Sequence, residues 1–507
     1  MAVKWLRMAL LTGLLPWFAP VGRAGDSPTP TVGPPGAQEH LRTALDAAQA
    51  KIYDKAEAEI IAAISDPGFG KLGVVAQRVA FTTAASLALR SKKPEPAQQF
   101  AIRATELAGA GIDDWQLRLT ASLKLHDARD EGIALTAVAH EWGRDRNNLP
   151  QAMVQRVVYD LRNSSFDALR LNLLDALYAA DWDASPDTTA STLWRDLSCL
   201  LLARGETDRA IEVASHIDGP YDVVALRADA RFRPLFRFGG VAGDARATMR
   251  RRVERLRMLV AVRPRSLQVR NALLRALLAT GELSEVLAMS DPVSGPDAAS
   301  KVDDLETEQS WTLDARARAL VGLGRSDEAV AELRRATVLP ERRDKFSQPI
   351  NLAALLCELG RPEEALAALP LLPVAQDSDT ISPYGMMQVE SVRLTAALEL
   401  QHAADADEAL AYLRAHREDS MSTLQRALVR AGQQAEAAAV LIARLHDSSE
   451  RTGALLELQS YARAAQPPAA AEWHRAELDL AARPEVRRAV HQVGSIASYP
   501  WLAAPES

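Results

Sequence analysis

Apolar positions recur along this chain at helical spacing, in paired segments divided by a glycine. The fullest instance surrounds Gly324: Leu313, Arg316, Ala317 and Leu320 precede it, Ala329, Leu333 and Ala336 follow it, and Pro340 closes the second segment. Residues three and four apart share one face of a helix, so the pattern predicts two amphipathic helices that fold back on each other. Glycine suits the turn because it enters the left-handed region without a Cβ penalty. Ala329 is small enough to let the two backbones approach closely, and a proline cannot continue a helix. The same step from Gly to Ala recurs at Gly205 and Ala210, Gly360 and Ala365, and Gly432 and Ala437.

These residues resemble the tetratricopeptide repeat, a helical hairpin of about 34 residues with the pattern W-x2-L-G-x2-Y, A-x3-F and a closing P. The copy that keeps the opening Trp reads Trp194, Leu197, Ser198, Leu201, Gly205, Ala210 and Ala214, with Ser, Leu and Ala in place of the consensus Gly, Tyr and Phe. Another reads Leu352, Ala353, Leu356, Gly360, Ala365 and Leu369, and a further one Leu428, Gly432, Ala437 and Leu441. Degenerate copies lie at Ala44, Ala47, Ala56, Ile60 and Ala63, and at Ala85, Ala88, Ala97, Ala101 and Ala104. Leu277, Gly281 and Val286 keep the turn, but Ser290 breaks the apolar recurrence. Roughly ten to thirteen helix pairs fit at a period of about 34 to 45 residues. The resemblance implies an all-α, right-handed α-solenoid of antiparallel helix pairs whose first helices line a concave groove. By offset from the motif residues it puts Arg195, Asp314, Arg318, Ile350, Ser422 and Arg426 in that groove. The Lys/Asn clamp with which cytosolic members hold chaperone tails is not reproduced. The competing architecture is an irregular helical bundle rich in Ala and Leu.

Alternating β-branched and polar runs are nearly absent and helix formers dominate, so almost the whole chain should be helical. The N-terminus differs. Met1–Ala24 reads as a secretory signal, with Lys4 and Arg7 before an apolar stretch and Gly22, Arg23 and Ala24 at the cleavage position. That stretch is short for a membrane span and holds Pro16 and Pro20. Residues 25–38 are a Pro-rich linker. An N-terminal array over 39–218, an irregular Arg/Phe-rich connection over 219–245, a C-terminal array over 246–465 and capping helices with a tail over 466–507 complete the expected order. The two cysteines, Cys199 and Cys357, fall on apolar faces of distant repeats, and buried free thiols are expected rather than a disulfide.

Net charge is −7, yet between Asp222 and Arg270 thirteen Arg face four acids. Arg231, Arg233, Phe236 and Arg237, then Arg251 and Arg255 one helical turn apart, are candidate contacts for an anionic partner. The alternative is a connection whose Phe residues fill the core while its Arg residues stay wet. Motifs for chemistry are missing. Arg144 stands where a zinc-protease helix beginning His140-Glu141 needs its second His, and Leu72 stands where a P-loop needs a hydroxyl. No catalytic, metal or cofactor residues are assigned. The expectation is an exported, periplasmic or secreted, non-enzymatic scaffold that binds a protein partner, without nucleic acid and without a stable membrane span. Two alternatives are a periplasmic component of an exopolysaccharide or envelope export system that contacts anionic polymer, and an all-helical enzyme with a dispersed site.

Overall fold

In the computed structural model the described residues are 36–182, 190–236, 244–295, 302–339, 346–369, 381–462 and 467–505. The signal segment, most of the linker, Arg237 and Pro340 lie outside them. The described chain is built of helices with two short strands, and by its contacts it divides into two units, residues 1–182 and 183–507. This boundary falls well before the Arg/Phe-rich segment that the sequence marks as the connection.

The first unit consists of four hairpins: α1 (Ala37–Gln49) and α2 (Tyr53–Ser65), α3 (Val74–Arg90) and α4 (Pro94–Glu106), α5 (Ile112–Leu125) and α6 (Ala128–Trp142), α7 (Gln151–Asn163) and α8 (Asp167–Ala179). α1 begins inside the expected linker. Each hairpin turns on one residue with positive φ: Lys51, Lys92, His126 and Ser165. Five positions later stand Ala56, Ala97, Glu131 and Arg170, all buried. The alanines pack as the motif requires. Glu131 and Arg170 bring charge to the position that should be smallest, which is why these two hairpins do not stand out in the sequence.

The second unit holds α9 (Ser191–Ala203) and α10 (Thr207–Ser215), then α11 (Pro220–Ala228), a 3-10 segment (Ala230–Phe236) and α12 (Ala245–Val262). Five further hairpins follow: α13 (Leu267–Thr280) with α14 (Leu283–Ser294), α15 (Leu305–Gly322) with α16 (Ser326–Thr337), α17 (Ser347–Glu358) with α18 (Pro362–Ala368), α19 (Pro383–Glu399) with α20 (Ala403–Ala415), and α21 (Met421–Arg430) with α22 (Gln434–His446). Gly205, Gly281, Gly324, Gly360 and Gly432 take φ between 67° and 78° at their turns, and Gln401 takes 60°. A Cβ on any of these five glycines would meet nothing within 4 Å, so backbone conformation and not space selects glycine there. Ala210, Val286, Ala329, Ala365, Ala406 and Ala437, each five residues on, are buried. The hairpin at Gly281 is thus a full member of the array. Ser290 is tolerated because its hydroxyl donates to the Val286 carbonyl at 2.7 Å and accepts from Arg316 at 2.9 Å. Ser198 likewise donates to the carbonyls of Trp194 and Ala210, which ties α9 to α10.

Consecutive first helices also touch: α13 with α15, α15 with α17, α17 with α19 and α19 with α21. The core lies between neighbouring hairpins, as in a repeat array. Beyond α22 come α23 (Arg451–Glu457), β1 (Ser460–Ala462), α24 (Pro468–Ala482), α25 (Pro484–Val493) and β2 (Ser498–Ala503), with β1 and β2 pairing in parallel. Neither strand was foreseen. Cys357 is buried and Cys199 half-buried, and neither forms a disulfide.

Candidate functional site

Four first helices in succession, α15, α17, α19 and α21, wall a cavity of about 610 Å3 in the second unit. Four of the residues expected in the groove line it: Asp314 and Arg318 from α15, Ile350 from α17 and Arg426 from α21. Their offsets explain this, since positions four apart on one helix share a face. The carboxylate of Asp314 accepts from Arg318 at 2.7 Å and from Asn351 at 3.1 Å, which ties α15 to α17. Arg426 is half-buried and makes no hydrogen bond or ion pair among the described residues.

One turn beyond Arg426, Arg430 donates to Ser391 and Thr395 of α19 at 3.3 and 3.1 Å, and its guanidinium lies 4.4 Å from the ring centroid of Trp473. Burial, and then the like charge of Arg426, lower the affinity of Arg430 for its proton. Burial pushes the carboxyl of Glu358 up against the opposing pull of Arg430 and Arg318. Cys357, in the same wall, is pushed up to about 12 by burial first, so its thiol stays protonated. The wall also presents Asn351, Gln388 and Ser382 beside Phe346, Ile350 and Val392. Apolar area beside amide and hydroxyl groups, with a cation that has no ion-pair partner among the described residues, suits a peptide segment carrying an acidic group.

The other expected residues lie elsewhere. Arg195 is bound to Asp222 at 2.5 Å and joins α9 to α11. Ser422 sits in the first turn of α21, 3.2 Å from the Ser420 hydroxyl. In the Arg/Phe-rich segment, Pro220–Ala228 is α-helix rather than irregular chain, because Pro at the first helical position is favourable. Phe232 and Leu235 fill the core. Phe236 is half-buried with the Arg227 guanidinium 5.5 Å from its ring centroid. Arg231 grips the buried carboxylate of Asp229 and reaches the Ser448 carbonyl and Thr452. Arg251 donates to Thr248, and Arg255 pairs with Asp218 at 3.1 Å. Arg233 is exposed and makes no such bond among the described residues. The arginine excess is therefore spent largely on joining neighbouring elements, and the cavity gathers residues from all four hairpins instead.

Arg430, Glu358 and Trp473 were not singled out beforehand. Arg430 was reachable by the same one-turn step that links Arg426 to Ser422, whereas Trp473 enters from α24, outside the repeats. Among the described residues no group of three or more His, Cys, Asp or Glu could hold a metal ion, and no helix is long and apolar enough to cross a membrane.

No family model and no curated protein sequence matches the chain. Solved structures similar to it include a tetratricopeptide repeat protein from Parabacteroides merdae ATCC 43184, 10% identical with a TM-score of 0.29, covering 63% of this chain and 97% of that one. The APC/C hetero-tetramer Cut9-Hcn1 is 12% identical at a TM-score of 0.27, covering 90% and 96%. The P58(IPK) TPR domain is 12% identical at 0.20, covering 78% and 98%.

Proposed function

We propose that the chain is an exported, non-enzymatic helical scaffold that holds a segment of a protein partner in the groove of its second unit. The observation that carries this reading is Arg426, a half-buried cation without an ion-pair partner among the described residues, in a cavity walled by four consecutive hairpins. Charges so placed favour a partner that supplies the missing anion. A polymer-contacting role draws on fewer groups, since Arg231, Arg251 and Arg255 already bond within the chain.

The test places a photo-cross-linker at Gln388 of the full chain and exposes it to an envelope extract. Capture of one protein, abolished by Arg426→Glu and kept by Arg233→Gln, is the expected result. Capture indifferent to Arg426→Glu would reject the groove as the partner site. Export is tested separately by mass spectrometry of the mature N-terminus, which should begin near Gly25.

A further inference from the structure

One helix outside the repeats already touches the walls of this groove. α24 contacts α17, α21 and α22. Its inward stripe is Trp473, Ala476 and Leu480, spaced by three and four residues as one helix face requires. Trp473 packs against the core between α15 and α19 and stacks near Arg430, while Leu480 is buried in the neighbouring core.

This contact is incomplete in two ways. Among the residues of this helix whose burial is described only Leu480 is fully buried, whereas α25, which follows it, buries Val486, Ala489, Val490 and Val493. The Nε2 atom of His474 is shut away from solvent without a hydrogen-bond partner among the described residues, and such an orphan weakens the docked position. A helix docked by one aromatic, one Ala and one Leu, against that cost, is held more weakly than the hairpins it lies on. Its tether keeps it close all the same, and tethering raises local concentration to about the millimolar range.

We propose that α24 is a resident ligand of the groove, and that the partner segment the groove accepts is an amphipathic helix with the same aromatic, small and aliphatic stripe, which displaces it. This rests on the reading of the groove as the partner site. Displacement frees the face of Arg430 for the incoming aromatic, and Arg426, one turn away, takes the incoming carboxylate. Resident and incoming helices compete for one surface, so apparent affinity falls by the fraction of time that the groove is open.

The experiment needs no external partner. A fluorescently labelled peptide of residues 467–483 is titrated against the unaltered full chain and against its Trp473→Ala variant. The variant should bind at least about tenfold more tightly, because its own helix no longer competes, and a peptide carrying the same Trp473→Ala change should not bind. Equal affinity for both chains, or no saturable binding to a variant whose α17 and α21 amides remain protected from hydrogen exchange, would overturn the proposal. Hydrogen exchange on the unaltered chain decides independently of whether the variant folds. The amides of α24 should exchange about tenfold or more faster than those of α21 and α25, and equal protection would also overturn it. Cross-linking that depends on Arg426, combined with failure of the peptide, would leave the function standing and remove only the resident helix.

Discussion

At the turn of every hairpin, one residue bears the conformational cost of reversing the chain. In the left-handed region an L-residue is worse off than Gly by about 1 to 2 kcal/mol, offset in part by the greater freedom of Gly in the unfolded chain. Gly432 has φ 71° and open space where a Cβ would go, so Gly432→Ala should cost about 1 kcal/mol through backbone conformation and not through a clash. Gln401, at φ 60°, should respond oppositely, Gln401→Gly gaining somewhat under 1 kcal/mol. Denaturant unfolding of both variants checks the pair of signs. Glu131 poses a different problem at this scale. Its carboxyl is fully buried, and burial, then the charge of Asp160 and a hydrogen bond shared with it, raise it from 4.5 to about 7, with Arg156 opposing. The folded pKa lies above the unfolded one, so the stability it contributes is whole below about pH 4.5 and is lost as pH rises through about 7. Thermal unfolding of Glu131→Gln should therefore match the unaltered chain near pH 5 and exceed it near pH 8. A gain equal at both pH values would mean that Glu131 does not titrate in this range.

Between elements, the same burial logic separates arginines that look alike in sequence. The carboxylate of Asp229 has no exposed area and depends on Arg231, which bonds it at 2.6 Å. Removing one partner of such a pair strands a buried charge, so Arg231→Gln should cost on the order of 3 kcal/mol. Arg233→Gln, two residues on and exposed, should be neutral within about 0.5 kcal/mol. Circular dichroism melts of the two variants would expose the contrast, and equal effects would refute it. Elements marked by small residues were legible beforehand: Ala56, Ala97, Ala329, Ala365 and Ala437 all stand buried five residues after their turns. α5 to α8 were not, because His126 and Ser165 take the turn in place of Gly, and charged residues occupy the close crossings. Other charges buried in this stretch have partners that no one-dimensional pattern displays, such as Arg118 with Asp130 at 2.5 Å and Asp114 with Arg78 at 2.9 Å. For the groove, helical offset located Asp314, Arg318, Ile350 and Arg426, whereas the indole that closes it comes from an element with no repeat signature.

Across the second unit, array and tail combine into something a simple stack of repeats does not do. In such a stack each hairpin contacts its neighbours only, and stability is a sum of local terms. Ala329→Trp, which overfills a fully buried crossing, should accordingly cost about 1 to 3 kcal/mol and loosen α15 to α18 first. The two ends of this unit, however, meet. Tyr221 of α11 donates to the Ala503 carbonyl at 2.8 Å, Ser495 donates to the Ala228 carbonyl at 2.8 Å, and α11 packs on α23. Gly494 makes this possible. A Cβ there would lie 2.2 Å from the Ala228 carbonyl oxygen and 2.9 Å from a methyl of Leu455, so here space and not backbone conformation demands glycine. Gly494→Ala must push the tail off α11, at a cost of about 1 to 3 kcal/mol. Because one junction holds both ends, hydrogen exchange should rise together in α11 and in α23, although most of the array separates them in sequence, while α15 to α18 keep their protection. Loosening confined to α23 and the tail, with α11 unchanged, would show that the ends fray independently and that the junction carries no coupling.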